Sequence, residues 1–249
     1  MRKDKATGKQ DGKAPLPFVA LCLTIVAAII TLSFGVIVVM HLSNSTSSRR
    51  EISFLRAAFG GAGIVNASYT YTNPFDREML QINPNFVAWI TVGGTPINYP
   101  VVRYNDNERY LNTSFYGQEN IFGTLFMDYR NRGDFVPHII IYGHNSRGNR
   151  KFSALHRFLE PTFLAQHNTI TLTVNGRVVE YEIFSARLTN IDDPAYYLDF
   201  SYSGAFATFL ERNSAPAYAQ QIITLSTCVT GGHDDERLVV QGRLINNGG

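Results

Sequence analysis

The sequence has few cysteines and no surplus of charge beyond its first residues. Its two cysteines, Cys22 and Cys228, are too few for a disulfide framework or for a zinc site with four cysteine ligands. The net charge is +2, and the first fifteen residues alone carry +3, so the rest of the chain carries −1. This balance excludes the broad basic face of a nucleic-acid-binding domain. Hydrophobic residues make up 45% of the chain and charged residues 17%, which excludes wholesale disorder.

One apolar run is long enough to cross a bilayer. Residues 16–40 contain no charged side chain, and as a helix they would extend roughly 36 Å. A cleavable signal peptide has a shorter apolar region of about 7–15 residues, so the run is interpreted as an uncleaved anchor. The basic residues before it favour a cytoplasmic N-terminus. We therefore expect a single-pass protein of the plasma membrane with its remaining residues outside the cytoplasm.

The chain is predicted to have four regions. They are a basic cytoplasmic tail, the transmembrane anchor, a linker with an N-terminal helical segment, and a folded catalytic domain, at residues 1–15, 16–40, 41–73 and 74–249. Within the linker, residues 51–59 can form one or two helical turns. The folded domain is expected to begin with a helix over 74–82, because proline stands inside its start and an Asn-Pro pair follows its end.

The pattern then changes to that of strands. Eight runs rich in β-branched and aromatic residues alternate with turn signals, at 86–92, 97–102, 122–127, 138–143, 169–174, 178–189, 221–228 and 237–245. Gly93-Gly94 and Asn175-Gly176 predict hairpins, and helical inserts are expected at 105–112, 149–159 and 203–213. Most connections are too short for the crossovers of a parallel α/β sheet. The predicted fold is mainly β, an eight-stranded barrel with short peripheral helices.

Cys228 is the one candidate nucleophile outside the predicted anchor. It ends the strand at 221–228 and opens into a polar, glycine-containing loop. Position alone leaves a buried core cysteine and an accessible nucleophile equally open. A solitary thiol in an oxidising compartment favours the nucleophile. Such a cysteine needs a base or cation nearby and a site for the oxyanion that forms on a carbonyl substrate.

Arg237 begins the following strand. If the two strands pair as an antiparallel hairpin, the register sets Arg237 opposite Cys228, with Cβ atoms about 5 Å apart. Arg243 would then lie roughly 20 Å from the thiol. A solvated arginine at a strand start is the alternative interpretation. Among the six histidines, spacing favours His144, at a strand end in a turn, and leaves His233, five residues after the cysteine, as the second candidate.

Taken together, these residues resemble the class B sortases of Gram-positive bacteria. The resemblance covers roughly residues 74–245 and includes the helix expected at 203–213. It rests on the segments TLSTC, YGHN, ERLVV, NPNFVAWITVGGTPINYPVV, YLNTSFYG and GTLFMDYRN, at 224–228, 142–145, 236–240, 83–102, 110–117 and 123–131.

The resemblance implies a cysteine transpeptidase that acts on the sorting signals of secreted surface proteins. It implies that Cys228 attacks the carbonyl carbon of a threonine in the signal, that His144 transfers protons to and from the amines, and that Arg237 stabilises the oxyanion. A thioacyl intermediate would pass to an amine of peptidoglycan or of a pilin lysine. The residues implied to line the peptide groove are Ser226, Asn112, Tyr142 and Tyr197.

No metal or other cofactor is expected from this resemblance. The acidic run at 234–236 could suggest a calcium site, but three consecutive carboxylates cannot converge on one ion from such a loop. A solvated loop is the expected role.

Three alternatives stay open at this point. A cysteine hydrolase would use the same three residues and release the acyl group to water. An L,D-transpeptidase also pairs cysteine with histidine, but its usual Ser-His-Gly-Cys motif is absent. A membrane-anchored binding module with a decayed site is the alternative outside enzymes, and the intact Cys228, His144 and Arg237 argue against it.

Overall fold

The computed structural model describes residues 73–131, 136–146, 150–228 and 235–246, together with separate positions between 25 and 38. Those separate positions are helical and exposed. In the part of the chain so described, no helix has both the length and the apolar character needed to cross a membrane. The short helix expected at 51–59, and most of the predicted anchor, lie outside the described residues. The chain divides into two compact units, at 1–47 and 48–249, which are considered separately.

The larger unit is built on a closed barrel of eight strands in the order β1-β2-β3-β4-β9-β10-β8-β7. The strands are β1 Phe86–Val92, β2 Asn98–Val102, β3 Leu125–Met127, β4 His138–Tyr142, β7 Thr169–Val174, β8 Arg177–Asn190, β9 Ile222–Cys228 and β10 Glu236–Asn246. Two-residue strands, β5 Asn145–Ser146 and β6 Arg150–Lys151, form a separate ladder. The prediction of a mainly β, eight-stranded barrel is confirmed, as are both predicted hairpins.

Among the described residues from 73 onward, three short α-helices lie outside the barrel, α1 Pro74–Ile82, α2 Pro161–Gln166 and α3 Ala205–Arg212. The bounds of α1 are those predicted, because Asn73 accepts a hydrogen bond from the Phe75 N–H at 2.9 Å and proline occupies the first turn. The inserts expected at 105–112 and 149–159 contain 3₁₀ turns at Arg109–Leu111 and Ser153–Leu159. Helix α2 was not predicted, since six residues are too few to show helical periodicity.

Two strand pairs in the barrel are parallel, β2 with β3 and β4 with β9. The other pairs are antiparallel. Because β4 and β9 run in the same direction, their C-terminal ends meet at one edge of the barrel. That edge carries His144, just after β4, and Cys228, the last residue of β9.

Side chains on the two surfaces of the barrel wall have different partners. The inward side chains form the main apolar core, which includes Ile90, Leu125, Ile141, Leu225 and Val240. Outside, α1 covers β1 to β3 with a second apolar cluster. The segment 191–215, which contains α3, packs a third cluster against the outer surface near β9. The candidate site lies beside this last segment.

Candidate active site

Cys228 is exposed at the end of β9 and lies directly opposite Arg237 on β10. The predicted register is confirmed, since Val239 lies opposite Ser226 two residues further along. Arg243 lies opposite Ile222, at the far end of the same strand pair. The hairpin therefore places the backbone of Arg237 beside Cys228. Arg243 lies six residues further along β10, away from the thiol.

His144 follows the strand that pairs with β9 on the side away from β10. The parallel pairing of β4 with β9 sets Tyr142 opposite Ser226, and the Gly143 N–H continues this pairing by donating to the Ser226 carbonyl at 3.1 Å. Two residues beyond Tyr142 and Ser226 in the chain are His144 and Cys228. The histidine and the arginine are therefore supplied from the two strands that neighbour β9.

The orientation of the His144 ring is fixed by a backbone carbonyl. Its Nε2 lies 2.7 Å from the Leu111 carbonyl oxygen, which can only accept a hydrogen bond. Nε2 therefore carries a proton, and we assign Nδ1 as the nitrogen that can gain or lose one. The turn needs glycine at position 143, because a Cβ there would overlap the side chains of Leu125 and Phe152.

Asn145 is a site residue that the sequence reasoning missed. Its side-chain amide donates to the Cys228 carbonyl at 2.9 Å, which ties the turn after β4 to the end of β9. The Phe152 N–H donates to the His144 carbonyl at 3.1 Å and secures the same turn from its other side. The sequence did contain a signal for this role, because Asn145 directly follows the candidate histidine in the same turn.

Tyr196 was also missed, although it contacts a predicted groove residue. Its hydroxyl lies 2.7 Å from the Ser226 hydroxyl, two residues before the cysteine. Its ring is parallel to that of Tyr142, with 6.4 Å between centroids. Burial raises the pKa of Tyr196, while the Ser226 hydrogen bond and the charge of Arg237 oppose that rise. The sequence reasoning chose the adjacent Tyr197 instead.

The four predicted groove residues have different surroundings. Ser226 is buried and bonded to Tyr196, and the Tyr142 hydroxyl donates to Asp128 at 2.9 Å. Asn112 is exposed and follows Leu111, the residue that holds His144. Tyr197 packs edge-on against the Phe200 ring, 5.6 Å between centroids.

Tyr196 and Tyr197 also line a cavity of about 310 Å³ with Tyr202, Phe209 and Arg212.

The other histidines that the structure describes have separate roles. His138 is buried, His156 contacts the Ser153 carbonyl, and His167 packs on the Phe163 ring. The second candidate base, His233, lies outside the described residues, as does residue 234 of the acidic run. Within the described ranges, no three histidine, cysteine or acidic residues are grouped to hold a metal ion.

Comparison with known proteins agrees with this architecture. A family model described as the sortase domain matches residues 90–245. Sortase B of Listeria monocytogenes is 32% identical over 182 residues, covering 68% of this chain and 73% of its own length. Sortase B of Staphylococcus aureus is 27% identical over 232 residues, covering 89% and 94%.

A solved structure of Bacillus anthracis sortase B is 27% identical, with a TM-score of 0.71, and the match covers 83% of this chain and all of that one. The family match spans well over half of the present sequence, and both curated relatives are of class B. The chain therefore belongs to the sortase family, as a class B member.

Proposed function

We propose that this sortase cleaves a sorting signal after threonine, holds the acyl group on Cys228 as a thioester, and transfers it to an amine. The observation that carries the proposal is that Cys228 lies opposite Arg237 and at the same barrel edge as the turn that carries His144. Membership of the family makes the chain a cysteine transpeptidase in general terms. The signal, the intermediate and the acceptor belong to the proposal.

In the first step the Cys228 thiolate attacks the threonine carbonyl carbon, and the carbonyl electron pair moves onto oxygen. The Arg237 guanidinium stabilises that oxyanion from the strand position opposite the cysteine. Its Nη1 donates to the Glu236 carbonyl at 2.9 Å, and a guanidinium has several N–H donors. As the oxyanion collapses, the C–N bond breaks and Nδ1 of His144 gives its proton to the leaving amine.

In the second step an acceptor amine attacks the thioester carbonyl. His144, now neutral, takes the proton from the amine, and the thiolate leaves as the new amide forms. The Leu111 carbonyl supports both steps because it holds the ring with Nδ1 available. Water competes for the thioester, so transfer requires an acceptor site that orients the amine and raises its effective concentration.

We assign the sorting peptide to the surface beside Ser226. Tyr142 and Tyr196 form a stacked pair there, and Asn112 and Tyr197 are the further groove residues in this proposal. The hydroxyls of both stacked tyrosines are bonded within the protein, one to a carboxylate and one to a serine hydroxyl, so the rings are held in place and offer an apolar wall to an extended peptide. The peptide would then enter across this wall toward the cysteine.

The membrane location is part of the same proposal. Support comes from the uncharged run at 16–40 and from the exposed apolar side chains of its described helical positions, such as Ile29 and Phe34. Protease added to protoplasts should digest residues 51–249 along with a known surface protein. If that region stayed intact while the surface protein was digested, the proposed orientation would be wrong.

The reaction is tested with the full chain in detergent micelles. A threonine-containing sorting peptide should be cleaved slowly and leave a thioester adduct on Cys228 visible by mass spectrometry. Adding a peptidoglycan-like or lysine amine should yield an amide-linked product. Cys228→Ala should abolish the adduct, the turnover and methanethiosulfonate labelling of the peptide that contains position 228, with an unchanged melting temperature.

Two outcomes would contradict the proposal. Full turnover by Cys228→Ala would remove the cysteine from the chemistry. Hydrolysis as the only outcome across a broad panel of amines would favour the hydrolase alternative, which shares the thioester but not the acceptor site.

A further inference from the structure

Arg187 binds three parts of the structure at once. It lies on β8 opposite Val239, on the outer surface of the barrel beneath the segment 191–215. Its guanidinium donates to the Asp193 carboxylate at 2.7 Å, to the Asn213 side-chain oxygen at 3.0 Å and to the Gln241 side-chain oxygen at 2.6 Å. Asp193 and Asn213 lie near the two ends of the covering segment, so one side chain fastens both.

The first arm from Arg187 holds the start of the turn that carries Tyr196. The Asp193 carboxylate accepts hydrogen bonds from the Ala195 N–H at 2.7 Å and from the Thr189 hydroxyl. The backbone carbonyl of Asp193 accepts one from the Tyr196 N–H at 3.0 Å. Burial raises the pKa of Asp193, but the hydrogen bonds from Arg187, Thr189 and Ala195 outweigh it and hold the pKa below its usual value. The carboxylate is therefore ionised and fully engaged at neutral pH.

The second arm crosses the sheet from Arg187 to the other side of Tyr196. The Gln241 amide donates to the Thr224 hydroxyl at 3.1 Å, and that hydroxyl lies 2.8 Å from Nε2 of His138. Nδ1 of His138 lies 2.9 Å from the Tyr197 carbonyl. The arm thus ends one residue beyond Tyr196.

The chemistry of its two ends and the neutrality of His138 together fix the direction of every bond in the second arm. A guanidinium can only donate and a carbonyl can only accept. Gln241 therefore presents its oxygen to Arg187 and its amide to Thr224, and Nδ1 of His138 donates to the Tyr197 carbonyl. Burial keeps the His138 ring neutral, so its Nε2 accepts from the Thr224 hydroxyl. A single arrangement satisfies all of these buried groups, so the arm specifies one position for the Tyr197 carbonyl.

We infer that Arg187 is a positioning residue for the peptide groove, whose two arms hold both ends of the segment 193–197 and so place Tyr196 against Ser226. The inference rests on the proposed function, because it concerns how the sorting peptide is bound. A groove wall that is already ordered spares the peptide the entropy cost of ordering it on binding. Loss of either arm should therefore raise KM and leave kcat nearly unchanged, since the reacting residues lie on other elements.

A second ion pair on the same two strands supplies the matched control. Arg243 on β10 pairs with Glu182 on β8, directly opposite each other at the end of the barrel far from the cysteine. Glu182 also accepts a bond from Asn168 at 3.3 Å, and Arg243 lies over the Tyr218 ring. These partners are remote in the strand register from Ser226.

The test compares Asp193→Ala, Gln241→Met and Glu182→Ala in the full chain in detergent. Each of the first two should raise KM for the sorting peptide at least about tenfold, with kcat within about threefold of the wild type. Arg187→Lys keeps the charge but loses the planar fork, so it should raise KM at least as much. Glu182→Ala should change neither constant appreciably. The rate of Cys228 labelling should be equal in all.

Hydrogen exchange of the segment 193–197, measured without substrate, provides a readout that does not need activity. Exchange should be faster in Asp193→Ala and Gln241→Met than in the wild type and Glu182→Ala. If both arm variants fold with unchanged KM and exchange, or if Glu182→Ala raises KM equally, the positioning role is wrong. If the wild type processes no sorting peptide, the proposed function fails, while the exchange comparison still decides whether Arg187 holds the segment.

Discussion

The barrel wall is covered from outside in two places, and the two covers differ in how far their buried polar groups are linked to one another. Under α1 the contacts are mostly apolar and aromatic, with Phe75 packed edge-on against Trp89 at 5.5 Å between centroids. Beside them are the buried Asp76 and a local hydrogen bond from Asn83 to Tyr110 at 3.0 Å. Under the segment 191–215 the apolar side chains of α3 share the surface with a buried chain of polar groups that runs from Arg187 to His138.

This difference indicates that the α1 cover mainly stabilises the fold, whereas the 191–215 cover also fixes the position of side chains near the cysteine. Apolar burial stabilises roughly in proportion to area and has little directional preference, so the α1 cover tolerates small shifts. A buried hydrogen-bond chain permits few arrangements, because each unmade bond leaves a costly unsatisfied group. The polar cover lies beside the nucleophile, where the position of Tyr196 matters. The apolar cover lies over β1 to β3, where no proposed catalytic residue has to be held in one exact position.

The largest expected effect is a loss of stability when one buried phenylalanine is removed from each cover. Phe75 and Phe209 are both buried, and Phe209 lies 4.5 Å from the His138 ring between centroids. Replacing either with alanine should lower the free energy of unfolding by about 3–5 kcal/mol, since each leaves a cavity. Only Phe209→Ala should also raise KM for the sorting peptide, because it loosens the end of the polar chain.

Urea unfolding and steady-state kinetics on the same preparations would measure both quantities. Equal KM values for the two variants, at similar stability, would mean that the covers do not differ in the way described.

Local patterns were sufficient to predict much of this fold. Asparagine and proline at the start of α1, and Asn175-Gly176 between two strands, act within a few residues, so the helix and hairpin followed from the sequence. The pairing of Cys228 with Arg237 followed from strand alternation and a short loop. Each of these depends on neighbours in the chain.

The polar chain could not be predicted in this way. Its links join residues far apart in sequence, such as Arg187 with Gln241 and Thr224 with His138, which meet only when the barrel closes. The choice of Tyr197 over Tyr196 has the same origin. Adjacent tyrosines look alike in sequence, and only the turn at Pro194–Tyr196 decides which one reaches Ser226.

The next largest effect is a pH dependence that belongs to the polar cover. Burial lowers the pKa of His138 from 6.5 to about 4. Between these values the unfolded chain binds a proton that the folded chain does not, so stability falls as pH falls from about 6.5 to 4. The loss should be about 3 kcal/mol in total and should level off below pH 4.

The measurement is the difference between the wild type and His138→Gln in urea unfolding across this range. Under α1, burial raises the pKa of Asp76, which gives the opposite sign, and the difference between the two proteins removes that contribution. A wild type and variant with parallel pH profiles would show that His138 does not titrate as described.

The smallest expected effect is a change in kcat/KM, measured for substitutions of the two arginines of β10. Arg237 lies opposite Cys228, whereas Arg243 pairs with Glu182 at the other end of the strand. Arg237→Ala should lower kcat/KM at least ~10²-fold, or roughly 2.7 kcal/mol of transition-state stabilisation, because the oxyanion loses its cationic partner. Arg243→Ala breaks an ion pair that is partly exposed and should change kcat/KM little. Arg237→Lys keeps the charge but not the planar fork, so an intermediate loss is expected. An equal loss for both alanine variants at unchanged stability would remove the special role of the residue opposite the cysteine, and with it the oxyanion assignment.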